Sequence, residues 1–178
     1  MSFSIPKTIA ILERTPNVLS SMLQNLPTEW VRCNEGPETW SAFDVIGHLI
    51  QGEKADWMIR TKIILSDKTD KSFEAFDRFA QFKTSKGKSI NDLILEFASL
   101  REANIEELER LQINDSDLNK TGNHPAFGAV SLRQVLATWV AHDLSHIAQI
   151  SRVMAKHYKE DIGPFVQYLR IMSERNLM

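Results

Sequence analysis

The sequence predicts an all-α protein, a four-helix bundle with short extra helices, and three observations predict it. Four long stretches carry apolar residues at steps of three and four. Three of those stretches open on a serine whose third following residue can complete a capping box. No segment shows the period-two alternation of a half-buried strand, and there is no internal repeat or low-complexity run.

The first helix starts where Ser4 can cap it and Pro6 falls in its first turn, and Ile9, Leu12, Leu19, Leu23 and Leu26 carry the period on to Pro27. Pro16 lies inside, removes a backbone donor and crowds the preceding turn, so a kink is expected near Thr15. From Pro27 to Trp40 the chain mixes proline, glycine and charge without a period, which reads as a loop pinned to the bundle by Trp30 and Trp40.

Ser41 and Asp44 open the second helix, which runs to Leu65 with Val45, Ile46, Leu49, Trp57, Ile63 and Ile64 broadly on one side. It carries His48, and it places Glu53 and Asp56 on or beside the apolar arc, where carboxylates are unusual. Between Ser66 and Lys88, Phe73, Phe76, Phe79 and Phe82 recur every three residues in a polar context. Disordered segments are poor in aromatics, so this stretch is expected to be a short helix over one mouth of the bundle, or a wall of a ligand pocket.

Ser89 and Asp92 open the third helix, with Leu93, Phe97, Leu100, Leu108 and Leu111 inside and Asn104 on the inner stripe in need of a partner. Gln112 to Val130 lacks a period and reads as a long loop, in which His124, ahead of Pro125, is a surface residue. Ser131 and Gln134 open the fourth helix, which stops near Tyr158; Gly163 and Pro164 then separate off a last short helix.

At 178 residues the chain suits one domain spanning 1–178, and 21 Lys and Arg against 23 Asp and Glu leave no basic field to draw nucleic acid. The first residues lack the apolar core of a signal peptide, and charges interrupt every apolar run, so a cytoplasmic protein without membrane contact is expected. Cys33 is the single cysteine, which excludes an intrachain disulfide and a multi-cysteine zinc site.

The chemistry is concentrated in the fourth helix. Leu132, Val135, Trp139, His142, His146, Ile150 and Val153 form one stripe, so the two histidines sit on the inward face, one turn apart and at chelating distance. A buried imidazole left unpaired costs roughly 1–3 kcal/mol, so something must lie between them. Two histidines hold a divalent metal poorly, since an open catalytic site takes three protein ligands and a water. His48 is the candidate third, because bundles build such sites from facing helices. The residues alone leave two readings open: a metal site, or core histidines with hydrogen-bond partners.

The stretches LERTPNVLSSMLQNLP, ETWSAFDVIGHLIQGEKADW, SLRQVLATWVAHDLSHIAQISRVMAKHY and GPFVQYL occur in an order that resembles the DinB-like superfamily of four-helix bundles. That resemblance implies a divalent metal held by His48, His142 and His146, with zinc or nickel the expected ion. Many relatives read closer to H-E-x-H-H-R-G-Q where this chain has HDLSHIAQ; the ligand positions and Gln149 are kept, and the others differ.

The resulting expectation is a metal-dependent enzyme, a hydrolase or a transferase of a low-molecular-weight thiol, acting on a small-molecule substrate. Glu53 or Asp143 would serve as proton acceptor or as an orienter of a histidine. The alternative is a non-catalytic bundle that binds a metal or small ligand. Metal occupancy is expected to fall below about pH 6.5, where imidazoles protonate. The Phe73 to Phe82 segment and the Asn119 to Gly128 loop are the expected lids, and the wide arc of Leu136, Val140, Leu144 and Ile147 suggests a homodimer.

Overall fold

The computed structural model describes residues 3–173. The first helix is broken as its proline demands, into α1 (Ile5–Leu12) and α2 (Arg14–Leu23), joined at Glu13, two residues before the expected kink. Pro16 has no N–H to offer the Leu12 carbonyl one turn back; the Arg101 guanidinium supplies that donor instead, with Nη1 2.9 Å from the Leu12 oxygen. A short α3 (Thr28–Arg32) interrupts the following loop. Trp30 packs against His157 and Tyr158, and Trp40 against His48, so both tryptophans anchor the loop as expected.

The second long helix is two segments, α4 (Ala42–Ala55) and α5 (Trp57–Leu65), because Asp56 departs from helical geometry at φ −125° and ψ −82°. The break turns Trp57 onto Trp139, ring centroids 5.9 Å apart and planes within 10°. Next come a single turn, α6 (Gln81–Thr84), and two long unbroken helices, α7 (Ile90–Arg110) and α8 (Leu132–Lys156). The boxes at Ser41, Ser89 and Ser131 all close, with the serine side chain accepting from the third residue's N–H and that residue's side chain taking the serine N–H. Each closure satisfies two of the donors a helix start leaves bare. With the broken first pair and the α4–α5 pair, α7 and α8 complete a four-helix bundle, in which α4 packs chiefly on α7, and α8 on α5 and α1.

The expectation of no strands is corrected. Thr121–His124 (β1) and Gly128–Ser131 (β2) pair antiparallel in register from Thr121 with Ser131 to His124 with Gly128. Each strand is too short to display an alternation, and Gly128, at φ +69°, lets the chain turn back. Lys71 and Phe73 add a third edge, since Asn123 N–H donates to the Lys71 carbonyl and Phe73 N–H to the Asn123 carbonyl, both at 2.9 Å. The expected helix over the four phenylalanines shrinks to the α6 turn, because backbone pairing with Asn123 holds its first part extended. The last helix likewise is two 3-10 turns, Gly163–Tyr168 and Arg170–Met172.

The core is two apolar clusters, one around Leu12, Trp57, Ile105 and Trp139, the other around Leu19, Leu49, Phe97 and Ile150. On α4, α7 and α8 a charged residue marks the boundary between them: Glu53 beyond Ile50, Arg101 between Phe97 and Ile105, Asp143 between Trp139 and Ile150. The wide arc of α8 is largely covered by the chain itself: Leu136 is buried, Val140 and Ile147 are half-buried, and Leu144 is exposed. Among the described residues no helix is long and apolar enough to cross a membrane.

Candidate metal centre

α4 brings His48, and α8 brings His142 and His146, to one point. His142 Nε2 lies 3.1 Å from His48 Nε2 and 3.1 Å from His146 Nε2, and one ring nitrogen from each of the three residues falls within 4.8 Å of the other two. The i, i+4 spacing on α8 supplies one contact, and the packing of α4 beside α8 supplies the other. Among the described residues these histidines form the one cluster of three or more potential metal ligands.

Hydrogen bonding among the rings cannot satisfy them all. The Gln149 carbonyl oxygen lies 2.7 Å from His146 Nδ1, so that nitrogen donates and His146 Nε2 is left with its lone pair inward. A single proton on His142 Nε2 can serve one of its two close neighbours, and His142 Nδ1 is itself buried without a partner. A cation at the centre would use all three lone pairs. Metal–nitrogen lengths of ~2.0–2.1 Å at tetrahedral angles separate nitrogens by ~3.3 Å, close to the spacing found here. The residues therefore fit a divalent ion.

The surroundings hold the imidazoles neutral, which is the form that ligates. His48 touches Trp40 (ring centroids 4.8 Å) and the edge of Phe76 (5.5 Å), and His142 touches Trp57 (5.1 Å). Burial foremost, then His146 and the Arg78 guanidinium, push the His48 pKa down to about 4. Burial, then the neighbouring histidines and Arg101, push His142 down to about 2, and burial also lowers His146. The expected fall in occupancy below about pH 6.5 accordingly moves to more acid conditions.

A cavity of about 540 Å³ opens beside the cluster, lined by the three histidines together with Trp40, Arg78, Ser145, Gln149 and Arg152. Its volume is in the range of small-molecule sites. Glu35 fastens this wall: its carboxylate takes Arg152 Nε at 2.8 Å and Nη2 at 2.7 Å, and Lys156 at 2.9 Å, tying the loop before Trp40 to α8. Of the expected lids, the phenylalanine segment is in place, with Phe76 on His48 and Phe79 and Phe82 each 6.4 Å from Trp40. Phe73 instead belongs to the core under the hairpin. The Asn119 to Gly128 loop is not a lid, because its β1–β2 hairpin is fixed against Phe73 and Ile64 and contributes nothing to the cavity wall.

Glu53 and Asp143 lie elsewhere than a proton acceptor would. Both are buried, and both bind Arg101: Glu53 takes Nε at 3.1 Å and Nη2 at 2.8 Å, and Asp143 takes Nη1 at 2.6 Å and Nη2 at 3.1 Å. Glu53 also accepts from Trp139 Nε1 at 3.1 Å and from Asn104 Nδ2 at 3.0 Å, which is the partner Asn104 was expected to need. Neither carboxylate lines the cavity or hydrogen-bonds a histidine. The sequence reading passed over Arg101. The signal was available: two acids on apolar arcs require a buried cation, and Arg101 falls four residues after Phe97 on the inner stripe of α7.

The DinB superfamily model matches residues 11–150. No curated protein matches the sequence. Among solved structures, YfiT from Bacillus subtilis, described as "a probable metal-dependent hydrolase with an unusual four-helix bundle topology", superposes with a TM-score of 0.74 at 18% identity, over 88% of this chain and 90% of that one. The likeness establishes a shared four-helix-bundle fold.

Proposed function

The chain belongs to the DinB superfamily, and on that premise we propose that it is a divalent-metal-dependent enzyme acting on a small molecule, with His48, His142 and His146 as the metal ligands. The observation that carries this is the convergence of three neutral, inward-facing imidazole nitrogens at the wall of an open cavity. A structural site would be closed by a fourth protein ligand, and none of the described residues supplies one. When bound, such an ion supplies Lewis-acid polarisation and lowers the pKa of a coordinated nucleophile toward neutrality. Imidazole donors suit zinc and nickel.

The protein's own side chains then have distinct tasks. Gln149 fixes the tautomer and ring orientation of His146. Trp40, Trp57 and Phe76 keep water from the imidazoles, where electrostatic stabilisation is strongest. Arg101 pairs with both Glu53 and Asp143 and joins the two helices that carry the ligands, so these carboxylates position the site and do not exchange protons with a substrate. Hydrolysis is the favoured reaction, in keeping with the description of YfiT, and transfer of a low-molecular-weight thiol is the second arm of the test.

The experiment is a panel of esters, amides and thiol–electrophile pairs assayed with zinc- or nickel-loaded protein, with His142→Ala as control. Turnover in the first two classes that the control lacks supports a hydrolase, and turnover dependent on thiol supports a transferase. No turnover above the control in any class would favour a non-catalytic binding protein.

A further inference from the structure

Among the described residues Arg78 is a cation without an anion. It is exposed on the loop before α6, makes no ion pair with any described residue, and lies over two aromatic faces, with its guanidinium carbon 5.7 Å from the Trp40 ring centre and 5.4 Å from that of Phe79. It also lines the same cavity as the three histidines. A cation beside a site shaped for a dication is an arrangement of like charges, and it is favourable only with negative charge between or beside them.

Among the described residues none is placed to provide that charge. Glu35 is committed to Arg152 and Lys156. Asp77 turns back to the Phe79 N–H, and Glu38, on the same cavity wall, is not within ion-pair distance of Arg78. Arg152, the other guanidinium on the wall, has its Nε and Nη2 occupied by Glu35. One free fork therefore faces the cavity, enough for a single carboxylate and short of what a phosphate dianion would call for. Beyond it, a second cavity of about 540 Å³ is walled by Glu38, Thr39, Trp40, Arg78, Phe79 and Phe82; the two phenylalanines are more than half exposed and with Trp40 leave an apolar shelf for a flat body on the Arg78 side, with Glu38 and Thr39 as the polar rim.

We infer that the substrate is a small carboxylate with a flat apolar body, that Arg78 takes its carboxylate, and that Trp40, Phe79 and Phe82 form the shelf on which the body lies. The inference rests on the proposed metal-dependent activity and adds the class of molecule on which it acts. A carboxylate held by Arg78 leaves the opposite end of the molecule free to face the histidines, so Arg78 is a specificity-determining residue that stands apart from the reacting atoms.

Benzoate is the test probe and benzamide its uncharged counterpart, titrated calorimetrically into zinc-loaded wild-type protein, Arg78→Gln and Arg78→Lys, with zinc content measured on each sample. The inference predicts that wild type prefers benzoate, that Arg78→Gln loses about tenfold or more in benzoate affinity, as for a charge-assisted bond, and that its benzamide affinity and zinc content stay unchanged. Arg78→Lys, which keeps the charge and loses the fork, is expected to fall between. Equal benzoate affinity in Arg78→Gln and wild type, equal losses for benzoate and benzamide, or no benzoate binding to zinc-loaded wild type would overturn the inference while leaving the metal site standing. Wild-type protein that retains no zinc would overturn the metal reading, and this inference with it.

Discussion

Replacing Arg101 by methionine removes the one buried Lys or Arg among the described residues and leaves the Glu53 and Asp143 carboxylates and the Leu12 carbonyl without it. Arg101 makes five hydrogen bonds, two to Glu53, two to Asp143 and one to Leu12, and the ion-paired side chains are all about 1% exposed or less. Removing one partner of a buried pair costs roughly 3–5 kcal/mol, because the other charge stays buried and unpaired. Here two charges are stranded, so a loss at the upper end of that range is expected at pH 7.5, read by urea denaturation of metal-free protein followed by tryptophan fluorescence. The triple variant Glu53→Gln, Arg101→Met, Asp143→Asn carries no stranded charge and should recover most of the loss. A loss below about 1 kcal/mol at pH 7.5, or a triple variant no more stable than the single one, would refute the assignment of Arg101 as the shared partner of the two buried carboxylates.

Gln81 is fully buried with neither side-chain oxygen nor nitrogen bonded within the chain, so Gln81→Leu should stabilise by about 1 kcal/mol, measured as a rise in the urea midpoint. At Gly47 a Cβ would come 2.5 Å from Ser85 Oγ and 2.9 Å from Gln81 Cβ; Gly47→Ala should therefore cost about 1–3 kcal/mol by pushing α6 off α4, and a neutral outcome would show that the α6 segment is loosely held. The histidine cluster sets a pH dependence of defined sign. Unfolded His48 and His142 take up their protons near pH 6.5, whereas folded His48 does so only near 4 and folded His142 only near 2, so the metal-free protein should lose stability as pH drops below 6.5, on the order of 3 kcal/mol from His48 by pH 4, with His142 adding to the loss over the same window and continuing below it. His48→Phe should flatten this profile, and a profile as steep as wild type would contradict the burial argument.

The long helices were legible because their boundaries are written locally, in Ser41 with Asp44, Ser89 with Asp92 and Ser131 with Gln134, and because Pro16 can act on an α-helix in only one way. The histidine cluster was legible in part for the same reason, since the spacing of His142 and His146 is fixed by one helix. His48 depends on how α4 packs, which periodicity suggests without fixing. The hairpin was hidden because each of its strands is four residues long and its pairing partner at Lys71 and Phe73 is remote in sequence. The α4–α5 break at Asp56 has no proline or glycine to announce it; it coincides with the stacking of Trp57 on Trp139, a tertiary contact. Arg78 looked like one more solvated charge, and only the folded chain shows that no carboxylate among the described residues comes to meet it.

Metal stoichiometry in the wild-type chain and in His48→Ala, His142→Ala and His146→Ala tests the central claim most directly. Measured by elemental analysis after equilibration with zinc and removal of excess at neutral pH, the account predicts about one ion per wild-type chain and a fall of tenfold or more in affinity for each variant, with every variant retaining its helical circular dichroism. Full zinc content in folded His48→Ala would contradict a centre built from α4 and α8 together.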